Sequence, residues 1–126
     1  MFLGIDVSKK TLDAALLNSS EGAREATRKS RHKIFANTPR GHQQMLEWLA
    51  QNEVAQVHAC LEATGTYGQG IACALYEAGH KVSLVNPMLI RAFGQSQLVR
   101  TKTDKADAHL IARFCAMHQP AAWTPP

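Results

Sequence analysis

Asp6 stands at the end of the apolar run Phe2–Val7, and Glu62 directly follows the apolar run 57–61. An acid on a buried strand costs several kcal/mol, roughly, unless it is paired or holds a metal. Ligands of an α/β sheet bind beyond the carboxyl ends of its strands, so two such acids meet if their strands are neighbours. A salt bridge, or a carboxylate that reaches solvent, is the ordinary alternative for either acid alone. Asp104 and Asp107 stand at i and i+3, on one side of a helix turn. Like charges at that spacing weaken a helix, and a cation between them reverses the sign of the interaction. Helix capping explains Asp104 by itself, and Lys102 and Lys105 offset the pair. Taken together, the four acids form a candidate two-metal centre. Its ions would be magnesium or manganese, hard cations that take carboxylate oxygens. Such ions, about 3.5–4 Å apart, stabilise the attacking and leaving oxygens of phosphodiester chemistry.

Basic and polar residues flank these acids. Ser8 and Lys9 follow Asp6, while Arg91, Arg100, Lys102 and Lys105 surround the helix pair. These six are the candidate nucleic-acid contacts. An ordinary polar hairpin turn also accounts for Ser8 and Lys9. Arg24, Arg28, Lys29, Arg31 and Lys33 either track a phosphate backbone or form a solvated strand face. Tyr67 either stacks on a base or packs. No base is tied to Ser96, which is therefore no nucleophile candidate. His109 lies about 140° round the helix from Asp104 and, like the other histidines, is read as structural.

The elements that must position these residues follow from the hydrophobic pattern. Phe2–Val7 and Thr11–Leu17 read as strands joined by a turn at Ser8-Lys9-Lys10, with a loop over residues 18–22. Residues 24–35 hold a basic third strand and its approach. Thr38-Pro39 opens a helix with Met45, Leu46 and Leu49 on one face. Residues 56–61 form a second buried strand. A helix capped at Thr64 or Thr66 follows and is stopped by Gly79. Lys81–Val85 is a strand ended by Asn86-Pro87, residues 88–97 form a short helix, and Thr103 caps a helix over 104–117. Three early strands followed by alternating helix and strand predict a mixed sheet with helices on its faces.

Composition sets the class. The chain has 126 residues, 45% of them hydrophobic, which suffices for one domain with its own core. A net charge of +4 and a pI near 9.2 favour a polyanionic partner. Cys60, Cys73 and Cys115 form no CxxC pair, and no Cys/His grouping has zinc spacing. Free cysteines in apolar runs act as small hydrophobes and fit a reducing, cytoplasmic setting. No 18-residue apolar span exists, so no membrane is expected.

Three motifs carry a family resemblance. Gly4-Ile5-Asp6-Val7-Ser8-Lys9, Glu62-Ala63-Thr64-Gly65-Thr66-Tyr67 and Lys102-Thr103-Asp104-Lys105-Ala106-Asp107-Ala108 together resemble the DEDD transposases of bacterial insertion sequences. That family includes pilin-gene invertases and bridge-RNA-guided recombinases. Asn86-Pro87 and residues 95–100 also match its pattern. The resemblance implies a ribonuclease-H-like (RuvC-like) α/β fold over residues 1–119, with Asp6, Glu62, Asp104 and Asp107 as catalytic metal ligands. It also implies DNA as substrate, a structured guide RNA, and a homo-oligomer in the full-length protein. Residues 120–126, Pro-rich, read as the start of a linker to a further domain bearing a nucleophilic serine. Three other readings compete, one of them a non-catalytic nucleic-acid-binding or assembly module that keeps the fold. A Holliday-junction-type nuclease would activate water instead. An actin-like ATPase shares the Gly4-Ile5-Asp6 opening, but it needs glycine where Val7 stands and a second phosphate loop.

Overall fold

The computed structural model describes residues 1–18, 31–63, 65–96 and 104–126, with side chains at 104–107 excepted. Five strands are found there: β1 (Phe2–Val7), β2 (Thr11–Leu17), β3 (Arg31–Ala36), β4 (His58–Glu62) and β5 (Lys81–Val85). Four helices accompany them: α1 (Pro39–Gln51), α2 (Gln69–Glu77), α3 (Pro87–Gln95) and α4 (Asp104–His118). The strand order is β3-β2-β1-β4-β5. β1, β2 and β3 form an antiparallel meander, while β4 and β5 lie parallel to β1. This is the mixed sheet expected from the order of elements.

Alternation along the strands divides two cores. Leu3, Ile5, Leu12, Leu16, Ala59, Leu61 and Val82 face one side and pack with residues of α1 and α2, among them Met45, Leu49, Ile71 and Leu75. On the other side Cys60 and Val85 meet Ile90 and Phe93 of α3 and Ile111, Phe114 and Cys115 of α4. Ala15 and Leu17 meet Ala108 and Ala112 of α4 there as well. Small residues on both surfaces bring α4 close to the sheet. Gly4 marks the tightest point: a Cβ added to it would clash with Ala108 O and Ala112 N and stand 2.8 Å from Ala112 Cα.

Helix boundaries follow local chemistry. Thr38 Oγ1 accepts the Gly41 N–H, and Asn86 Oδ1 accepts the Met88 N–H, so each caps a helix that opens on proline. Asn86-Pro87 thus starts α3 as well as ending β5. The helix after β4 departs from expectation. It begins at Gln69 behind Gly68, with no side-chain cap, because Gly65 at φ 63° and the turn through Thr66 come first. Gly79, at φ 94°, ends α2 as expected. Residues beyond α4 dock on the β5 edge: Trp123 N–H donates to Val82 O, and Ser83 Oγ lies 2.8 Å from Ala121 O. None of the helices among the described residues is long and apolar enough to cross a membrane.

One core histidine carries a testable pH dependence. His80 is buried, and its Nδ1 accepts the Val57 N–H at 3.0 Å, which requires an unprotonated nitrogen there. Burial lowers its pKa below the ordinary 6.5. The native state therefore binds this proton less readily than the unfolded chain. The contribution is complete above about pH 6.5 and is lost as pH falls through the depressed native value. Urea unfolding should show stability dropping as the pH falls below about 6.5. His80→Asn, which keeps an acceptor near Nδ1, should flatten that slope. His80→Ala should cost about 1–3 kcal/mol by orphaning the Val57 amide.

Candidate functional site

Parallel pairing of β1 with β4 matches Gly4 with Cys60 and Ile5 with Leu61. The next residues of the two strands are Asp6 and Glu62. Both are half-buried at the carboxyl ends of adjacent strands, as the two apolar runs suggested. Antiparallel pairing of β1 with β2 sets Asp13 opposite Asp6. Since side chains alternate, Asp13, Asp6 and Glu62 form one row across three neighbouring strands, with roughly 4.8 Å between strands. They share the face of Gly4 and Cys60, which is the face covered by α4.

The direction of α4 links this row to the remaining acids. Ala108 and Ala112 lie over Gly4, while Cys115 Sγ donates to His58 O at the start of β4, 3.4 Å away. The helix therefore runs opposite to β1 and β4. Its first residue, Asp104, lies one turn before Ala108, toward the end of the sheet where Asp6 and Glu62 stand. The side chains of Asp104, Lys105 and Asp107 lie outside the described residues, as do Arg100, Lys102, Thr103 and the basic residues Arg24, Arg28 and Lys29.

Asn37 fastens the two strand ends. Its Nδ2 donates to Ser8 O after β1 and to Tyr67 O after β4, both at 2.9 Å. Its Oδ1 lies 2.8 Å from His42 Nε2, which donates. Desolvation lowers the His42 pKa and so favours the neutral ring. One side chain thus joins the loops beside Asp6 and Glu62. Sequence reasoning missed it, since nothing marks an asparagine between a strand and a helix cap as a clamp.

Asp13 was missed as well. It is buried beside Asp6, and His32 Nε2 meets its Oδ1 at 2.5 Å. The His32 ring stacks on His109 of α4, with centroids 6.2 Å apart and planes 14° apart. His109 thus packs on His32, beside Asp13. An acid within the apolar stretch Leu12-Asp13-Ala14 was the available signal. The register that turns it toward Asp6 was not readable.

Other residues fall into place more simply. Ser8 Oγ bonds Thr11 within the β1–β2 turn, and Lys9 is exposed next to it. Arg91 is exposed on α3, and Tyr67 is 51% exposed in the loop after β4. Ser96 Oγ donates to Phe93 O. Lys33 lies 5.6 Å from the Phe35 ring centroid.

Comparison with known proteins gives the family and the fold. The family model for DEDD transposases, described as "Transposase", matches residues 3–126. The pilin gene-inverting protein of Moraxella bovis is 36% identical over 98% of this chain, and that of Moraxella lacunata is 34% identical over the same share. The chain spans 37% of the length of each. Thermus thermophilus RuvC, solved with a Holliday junction substrate, superposes with a TM-score of 0.61 over 93% of both chains at 18% identity. The fold is therefore RuvC-like, of the ribonuclease-H class. With the motifs around Asp6, Glu62 and Asp104 inside a match that spans residues 3–126, this chain belongs to the DEDD transposase family.

Proposed function

We propose that this chain carries the catalytic centre of a DNA transposase or site-specific recombinase, in which Asp6, Glu62, Asp104 and Asp107 hold magnesium or manganese for strand cleavage and transfer. The observation that carries the reading is the register of β1 and β4, which brings Asp6 and Glu62 side by side on the α4 face. The donor set is all oxygen, which suits a hard divalent ion and not a thiophilic one. Bound there, such ions would neutralise the charge that develops on a phosphodiester during in-line displacement. The protein's own part is to hold the ligands at fixed separation, through the Asn37 clamp and the close seat of α4 on Gly4. Ser8, Lys9 and Arg91, with Arg100, Lys102 and Lys105, would meet the sugar-phosphate backbone.

The substrate class has two supports. The Moraxella relatives are named for inverting a gene, which is DNA recombination. The RuvC structure holds a branched DNA. Guide RNA and assembly of several subunits extend the proposal to the full-length protein on family grounds, as does a nucleophilic serine in the remaining length.

Thermal unfolding with and without metal tests the centre. A ligand at about a hundred times its Kd stabilises the native state by about 2.7 kcal/mol. Magnesium or manganese should raise the melting temperature accordingly, and Asp6→Asn should abolish the rise. A melting temperature indifferent to both ions would refute the proposal.

A further inference from the structure

A second cluster of ligand-type side chains lies beneath α4, on the same sheet face as the acids and further toward the start of β4. His58 and Cys60 point to the same face of β4, two residues apart, and Cys115 comes down from α4 to meet them. All three are buried, and one ligand atom from each lies within 4.8 Å of the others. A tetrahedral site with metal–sulfur bonds of about 2.3 Å has ligand–ligand edges of about 3.8 Å, within reach of a small side-chain rotation. The walls are Val85, Ile90, Phe93, Ile111 and Phe114, which exclude water.

Hydrogen bonding prepares the histidine. Ser83 Oγ carries one proton and lies 2.8 Å from Ala121 O and 3.1 Å from Pro120 O, so it donates to these carbonyls. It must then accept from His58 Nε2, 2.7 Å away. That bond fixes the Nε2–H tautomer, so Nδ1 carries the ring's lone pair, available to the neighbouring Cys115 thiol or to a metal. An outer hydroxyl or carbonyl that holds the far N–H is the usual companion of a metal-ligating imidazole. The spacing along the chain gave no hint of this group, because Cys115 is 55 residues from Cys60.

We infer that His58, Cys60 and Cys115 form a buried soft-metal site for a thiophilic d10 cation, copper(I) or zinc(II). Two sulfurs and one imidazole select such ions over magnesium. No fourth His, Cys, Asp or Glu joins the group among the described residues. Three donors in a dry pocket favour copper(I), which accepts low coordination, while zinc would add a fourth ligand. Filling the site would pin α4, which carries Asp104 and Asp107, to β4, which carries Glu62.

The test uses reduced, metal-free protein titrated with copper(I) and with zinc(II), with excess magnesium present to occupy carboxylates. About one equivalent should bind, with thiolate-to-metal charge-transfer absorption for copper(I). Cys60→Ala and Cys115→Ala should each abolish binding, and Cys73→Ala should leave it unchanged. Should those variants fail to fold, X-ray absorption at the metal edge of the wild-type protein should show two sulfur neighbours and one nitrogen. Uptake of zinc alone would keep the site and identify its ion. Reduced, folded protein that takes up neither ion would overturn the inference. So would bound metal with only oxygen neighbours, or uptake that persists in the double cysteine variant.

Discussion

Gly4→Ala is expected to unseat α4 and to destabilise the protein by about 3 kcal/mol or more. The methyl group has no space on the sheet: it would meet the main chain of Ala108 and Ala112, which cannot rotate away. Overpacked side chains can change rotamer, and such insertions typically cost about 1–3 kcal/mol. Backbone against backbone allows only displacement of the helix. α4 touches β1, β2 and β4, so the shift also opens the contacts of Ile111 and Cys115. Its first turns carry Asp104 and Asp107, so the strand-transfer activity proposed for the full-length protein should fall with stability. Gly94→Ala is the control. There the added methyl meets only the Leu110 Cδ2 tip at 2.9 Å, a flexible neighbour, and the cost should stay near 1 kcal/mol. Urea unfolding decides it: equal midpoints for the two variants would show that α4 is not seated on Gly4.

The same close approach explains how much of the site was legible beforehand. Phe2–Val7 and Lys81–Val85 were readable as strands because their apolar runs are short and bounded by turn residues. The run before Glu62 was legible too, although the strand starts at His58 and extends to Glu62 itself. Each acid was therefore locatable on its own element. What a single chain does not reveal is pairing. The facts that β4 inserts beside β1, and that β2 turns Asp13 toward Asp6, belong to the sheet register. Asp13 was passed over because one polar residue within an apolar strand has no partner until the neighbouring strand is known. The thiol and imidazole cluster stayed hidden for the same reason. Cys60 looked like a small hydrophobe, and it does sit in an apolar core. Its partner Cys115 comes from a helix whose position over the sheet no local pattern specifies. Turn chemistry accounts for the remaining miss, the late start of α2. Thr66 resembles a cap, but its carbonyl instead accepts the Gln69 N–H in a turn before the helix.

The row of acids leads to the second large effect. Asp6→Asn and Glu62→Gln should each lower the strand cleavage proposed for the full-length protein at least about a hundredfold. Loss of groups that merely orient a metal's ligands costs about 10–100-fold, and loss of a ligand should cost no less. Asp13→Asn should behave differently. Asp13 is buried against His32, and weakening that contact removes a bond worth about 1.5–3 kcal/mol if one partner is charged. Its metal response should survive, because His32 already engages that carboxylate. Paired measurements of cleavage and of melting temperature, with and without magnesium, separate the proposed roles, Asp6 and Glu62 in metal binding and chemistry and Asp13 in the fold around them. If Asp6→Asn loses stability and keeps cleavage, Asp6 is a structural acid, and the centre must be sought elsewhere in the protein.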